Sequence, residues 1–185
     1  MVLTKTPVCD FGKKAEDFKL KSINNKIISL NDIKGKKGTL VMFICNHCPY
    51  VKAIIKDLIR ECNELNKDGI NTVAIMSNDT KNYPEDSFEN MIKFSELNNF
   101  GSIDYLIDET QEVAKKYGAV CTPDFFGYNN NLELQYRGRF RELKDLKPIT
   151  KGESDLKTAM KMIAQDQKGP VEQIPSMGCN IKWFN

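Results

Sequence analysis

The sequence predicts one α/β domain, a central mixed β-sheet flanked by helices with an N-terminal β-hairpin extension. Three observations carry this. An apolar run, TLVMFIC (39–45), leads into a helical pattern from Pro49 to Lys67 and then into a second apolar run, INTVAIMS (70–77), the order of a β-α-β unit. A stretch of alternating character at 17–30 turns at Asn24-Asn25, and a second at 124–138 turns at Asn129-Asn130-Asn131, so hairpins bracket that unit. No internal repeat and no dividing linker interrupts residues 1–185, and 185 residues suffice to bury a core without staples.

Each element has a local reason. NDIKGKKG (31–38) is punctuation between the first hairpin and the buried strand. Val51, Ile54, Ile55, Leu58, Cys62 and Leu65 recur at spacings of three and four with charges between them, which makes 49–67 an amphipathic helix, and Gly69 stops it. Pro49 suits its first turn, where a missing N–H costs no intrahelical bond. SFENMIKFSELNNF (87–100) is again helical in spacing, IDYLID (103–108) is a short strand, and 108–119 reads as a helix capped by Asp108 and closed by Gly118. Residues 153–166 form a last helix, and 167–185 are a C-terminal tail with no clear pattern.

Composition excludes several classes of function. The formal charge of +2 comes from Lys and Arg scattered among Asp and Glu, so neither a nucleic-acid partner nor an anionic membrane surface is indicated. The first residues lack the apolar stretch of a signal peptide and no run approaches the ~20 residues of a membrane span, so a cytoplasmic protein is expected. In a reducing compartment six cysteines are a poor static disulfide framework, and a C-x-x-C pair reads first as redox or metal chemistry.

That pair is Cys45-Asn46-His47-Cys48, which also contains the only histidine. Thiols three apart at the start of a helix share a face, so a short disulfide is within reach. The unpaired N–H groups and dipole of the helix favour a thiolate, as does a nearby imidazolium. Lowering a thiol pKa from ~8.5 to ~7 costs ~2 kcal/mol and raises the thiolate fraction at pH 7 from ~3% to ~50%. His47 is either the group that tunes the pair or a surface side chain without consequence. A zinc site would bring a second C-x-x-C or an H-x-x-x-H; the chain has neither, and Cys9, Cys62, Cys121 and Cys179 are singletons, so no metal and no cofactor is expected. Two inert buried thiols are the bland alternative.

Strand, C-x-x-C, helix and, much later, Thr122-Pro123 before a hairpin strand resemble the thioredoxin superfamily. CNHCPYVKA (45–53), SNDTKNYPEDSFENM (77–91), DETQEVAKKYGAVCTPDFF (108–126), YRGR (136–139) and GCNIKW (178–183) look, in order, like its redoxin or peroxiredoxin-like group, related to alkyl hydroperoxide reductases. The resemblance implies a thioredoxin-like fold, a cis peptide at Thr122-Pro123 facing the pair, and a thiol-disulfide oxidoreductase. By the habit of that fold Cys45, at the exposed start of the helix, attacks a protein or low-molecular-weight disulfide, Cys48 resolves the mixed disulfide, His47 stabilises the thiolate, and Thr122 and Pro123 position the substrate. Cys121 and Cys179 are candidate accessory redox thiols, with packing as the plainer reading. The segment 78–91 either lines the site or merely connects.

The same resemblance raises a peroxidase alternative. Peroxiredoxins carry Thr or Ser three residues before the peroxidatic Cys-Pro and a Pro four before that, where this chain has Cys45 and Val41. The hydroxyl is replaced by a thiol, which favours dithiol-disulfide exchange; Arg137 or Arg139 is the candidate for the peroxide-site arginine. A non-enzymatic protein holding metal or a client through the same thiols is the remaining alternative.

Overall fold

The apolar run that the sequence marks as a buried strand lies inside the sheet, and the site is built at its end. The computed structural model describes residues 2–184. In chain order its elements are β1 (Leu3–Lys5), β2 (Lys19–Ser22), β3 (Ile27–Ser29), β4 (Gly38–Phe43), α1 (Pro49–Lys67), β5 (Ile70–Met76), a 3-10 turn (Pro84–Asp86), α2 (Phe88–Leu97), β6 (Asp104–Ile107), α3 (Glu112–Tyr117), β7 (Cys121–Thr122), β8 (Asp124–Asn129), β9 (Leu134–Tyr136), β10 (Leu143–Lys144), β11 (Lys147–Pro148), α4 (Asp155–Asp166) and β12 (Met177–Asn180).

The main sheet is ordered β3-β2-β6-β5-β4-β8-β9. β4, β5 and β6 are parallel, joined through α1 and α2, while β2 and β8 pair antiparallel to the ends of that trio. All six residues of β4 are buried because both faces are covered. Leu40, Met42 and Ile44 pack with residues of α1 and α4, and Val41 and Phe43 pack on the opposite side with Val113, Ala114 and Tyr117 of α3. The early hairpin forms as expected, with Asn25 supplying the positive φ of its turn.

Two expectations need correction. The helix expected over 108–119 begins only at Glu112: Asp108 turns its carboxylate to the N–H groups of Val113 and Ala114 across a loop, with Gln111 at φ 62 as the cap. Gly118 closes it as read. The tail 167–185 contains β12, the middle strand of a second sheet β1-β12-β7, in which Cys179 faces Thr122 on one side and Leu3 on the other. Among the described residues no helix is long and apolar enough to cross a membrane.

Candidate redox site

The end of β4 delivers the motif. Ile44 still bonds β5 through its N–H, after which the chain leaves the sheet; Cys45 lies in the loop and Cys48 is the N-cap of α1, with Pro49 opening the helix. All six cysteines are thiols. Cys45 is not exposed as the resemblance implied, but 1% exposed, and Cys48 is 0%. Each thiol shifts the other's pKa. Thr122 reaches both: its Oγ1 is 3.3 Å from Cys45 Sγ and its carbonyl oxygen 3.1 Å from Cys48 Sγ. The Thr122-Pro123 peptide that follows is cis.

Sequence reasoning missed Asp86. It is fully buried in the 3-10 turn, and its carboxylate accepts from Asn46 N–H (2.8 Å), His47 N–H (3.3 Å) and Asn78 Nδ2 (2.8 Å), and pairs with His47 Nδ1 (2.7 Å). The segment 78–91 therefore lines the site rather than merely connecting. It is held from the far end of the chain as well, since Lys182 N–H donates to Asn78 Oδ1 and Asp79 N–H to Lys182 O. The signal in the sequence was slight: nothing in the spacing ties residue 86 to 46 and 47.

His47 is thus not a stray surface group. Its ring stacks on Tyr83 at 5.8 Å and lies 3.9 Å from Cys45 Sγ, and the Asp86 hydrogen bond holds its pKa above the usual value against some loss from burial. The Cys48 thiol falls from 9.0 to about 5, chiefly because Cys45 donates to it, with further help from Cys179, Thr122 and the Val51 N–H. Cys45 is pushed well up by that same bond, by burial and by the Asp86 charge. In the neutral dithiol Cys48 donates toward the Thr122 carbonyl, a contact that opposes its ionisation. Several donors against one carbonyl decide the direction, and the pair's charge rests on Cys48.

The remaining candidates divide. Cys179 comes to the pair, with its Sγ 3.0 Å from Cys48 Sγ, and burial raises its pKa. Cys121 is buried and points to the Pro123 carbonyl at 3.6 Å; burial and then Asp124 raise its pKa. Arg137 is tied to Asp124 and the Gly118 carbonyl, and Arg139 to Asp155 and Glu142. Of the two, Arg139 lines a cleft of about 460 Å³ beside Pro123, Tyr50, Ser176 and Met177. A second cleft, on the other side of the motif, is lined by Asn46, His47, Lys52 and Phe94. Cys45, His47 and Asp86 place three potential metal donors within 4.8 Å of one another. The carboxylate of that trio, however, already serves four hydrogen-bond donors.

A C-x-x-C at the junction of a buried strand and a helix, facing a Thr-Pro turn, in a mixed sheet flanked by helices, defines a redoxin of thioredoxin-like fold and redox function. The chain belongs to the AhpC/TSA family, whose model matches residues 11–141. Among solved structures it is similar to an uncharacterized conserved protein from Geobacillus kaustophilus (39% identity, all of this chain and 97% of that one, TM-score 0.94). It is also similar to a hypothetical protein from Sinorhizobium meliloti 1021 (34% identity, 98% of both chains, TM-score 0.90). The thioredoxin domain of a thiol-disulfide oxidoreductase from Bacteroides vulgatus shares the fold (18% identity, 69% of this chain and 86% of that one, TM-score 0.58). No curated protein matches the chain.

Proposed function

We propose that the protein is a thiol-disulfide oxidoreductase whose centre is the Cys45/Cys48 pair, acting as one domain over residues 1–185 in the cytoplasm. The observation that supports it is the contact of Thr122 with both sulfurs of the pair at the N-terminus of α1. Cys45, beside the partly exposed His47, exchanges with a protein or low-molecular-weight disulfide, and Cys48 resolves. The single proton of the pair passes to Cys48 as Cys45 attacks; one substrate sulfur leaves as thiolate and takes that proton, and Cys48 then displaces the other sulfur, closing the Cys45–Cys48 disulfide. Two electrons pass from the dithiol to the substrate, and a partner reductant returns them. The test is reduction of a model protein disulfide: the wild type should turn over, and Cys45→Ser and Cys48→Ser should each fall to the background of a free thiol. Unchanged turnover in either variant would falsify the assignment.

A second reading, thiol peroxidase, draws on the thiolate at Cys48, the position that its Cys-Pro matches to the peroxidatic residue. Hydroperoxide would then oxidise Cys48 to a sulfenic acid, and Cys45 would condense with it. Stoichiometric hydroperoxide should in that case oxidise the pair far faster than a free thiol; an ordinary rate removes the reading. A role in holding metal predicts metal in the purified protein that Cys45→Ser loses.

A further inference from the structure

Cys48 has two sulfur neighbours. Cys45 is its partner in the motif and shifts its pKa, and Cys179 lies 3.0 Å away from a strand 131 residues further along the chain. The placement is not a loose approach of a tail. β12 is gripped between β1 and β7 with Cys179 in register with Thr122, and Gly178 lies so close to the Thr122 carbonyl that a Cβ there would stand 2.0 Å from it. Cys179 is 2% exposed and Cys48 0%, so both sulfurs of such a bond are buried.

We propose that Cys179 is a third redox thiol and that Cys48 exchanges its disulfide partner between Cys45 and Cys179. The inference rests on Cys45 and Cys48 being the redox pair. The step is an internal isomerisation. In the oxidised protein Cys179, as thiolate, attacks Cys48 Sγ; the Cys48–Cys179 bond forms, the Cys45–Cys48 bond breaks, and Cys45 leaves as thiolate and takes the proton that Cys179 gave up. No electron enters or leaves. Cys45 is returned to the thiol state beside His47 while the oxidising equivalent is kept on two buried sulfurs.

Disulfide mapping tests this directly. Lys37 and Lys52 bracket both motif cysteines, so trypsin leaves Cys45 and Cys48 in one peptide and Cys179 in another that ends at Lys182. A Cys48–Cys179 bond therefore joins two peptides, whereas a Cys45–Cys48 bond does not. Wild-type protein, Cys45→Ser, Cys45→Ala and Cys179→Ser are oxidised with glutathione disulfide, their folding is checked by circular dichroism, and they are digested without reduction. The joined peptides are expected in the wild type alongside the internal disulfide, as the main protein disulfide in whichever Cys45 variant folds, and not in Cys179→Ser. Cys48 found only as a glutathione adduct in the folded Cys45 variants, or no joined peptides in the wild type, overturns the third thiol. The internal disulfide in Cys179→Ser reports separately on the proposed function: its absence there counts against the redox pair and with it the exchange, whereas its presence without joined peptides in the wild type counts against the third thiol alone.

Discussion

At Cys48 two effects of a low pKa compete. A fall from 9.0 to about 5 raises the thiolate fraction at pH 7 by roughly 100-fold, but nucleophilicity declines as the pKa falls and takes back most of that gain. Attack by Cys48 is hardly faster for it; departure of Cys48 from a disulfide is much faster. That suits the resolving and leaving sulfur rather than the one that meets the substrate. Thiolate ultraviolet absorbance of the reduced protein should titrate with a midpoint near about 5, and Cys48→Ser should remove that step; a first thiol midpoint at 8 or above (roughly the ordinary range) would sink the charge assignment. For His47 the sign is opposite. Its folded pKa is raised by Asp86, so the stability it contributes is fully present below about 6.5 and is lost as pH rises through the folded value. Asp86→Asn should bring the imidazole titration, followed by NMR, down to about 6.5 or below. Sequence alone made the pair and its spacing legible, but not Asp86, whose role depends on a turn folding back over forty residues.

Elements with a strong internal period were legible and those defined by distant pairing were not. α1 could be read because burying Val51, Ile54, Ile55, Leu58, Cys62 and Leu65 requires one helical face. β12 could not, because Met177-Gly178-Cys179-Asn180 carries no alternation of its own and becomes a strand through β1 and β7. Its tightest point is Gly178. Gly178→Ala places a methyl against the Thr122 backbone, which cannot swing aside as a side chain can, and should destabilise the fold by about 1–3 kcal/mol in a denaturant titration. An unchanged midpoint would mean that β12 is not held as described. A polar anchor acts similarly on α1, where buried Glu61 accepts from Arg141 at 2.8 Å and from the Ser154 hydroxyl, the N-cap residue of α4. Glu61→Ala leaves Arg141 buried without its carboxylate and should cost about 3–5 kcal/mol.

Across the whole molecule, the site joins four widely separated parts of the chain: the β4–α1 junction, the segment around Asp86, the Thr122-Pro123 turn and the C-terminal strand. The mixed sheet was foreseeable because its strands and α1 carry their pattern locally; the interlock was not, because its contacts are polar and long-range. This organisation ties redox state to global stability. In the reduced protein the Cys48 thiolate is stabilised by the folded surroundings, with a pKa of about 5 against 9.0 when solvated. A depressed pKa contributes its full stability above the unfolded value and loses it as pH falls through the folded one, so at pH 7 about half is present, about 3 kcal/mol. The Cys45–Cys48 disulfide, isolated in Cys179→Ser, forfeits this term but gains loop-closure stabilisation of about 2 kcal/mol for so short a loop, and that gain does not vary with pH. Near pH 7 the reduced protein should therefore be the more stable by about 1 kcal/mol, and near pH 5, where the thiolate term has nearly vanished, the oxidised protein should be the more stable by a similar margin. Denaturant titrations of both forms of Cys179→Ser at the two pH values check this: the difference should change sign near pH 6 (roughly where the two terms balance), and a difference that does not move with pH would show that the folded protein does not hold Cys48 as a thiolate.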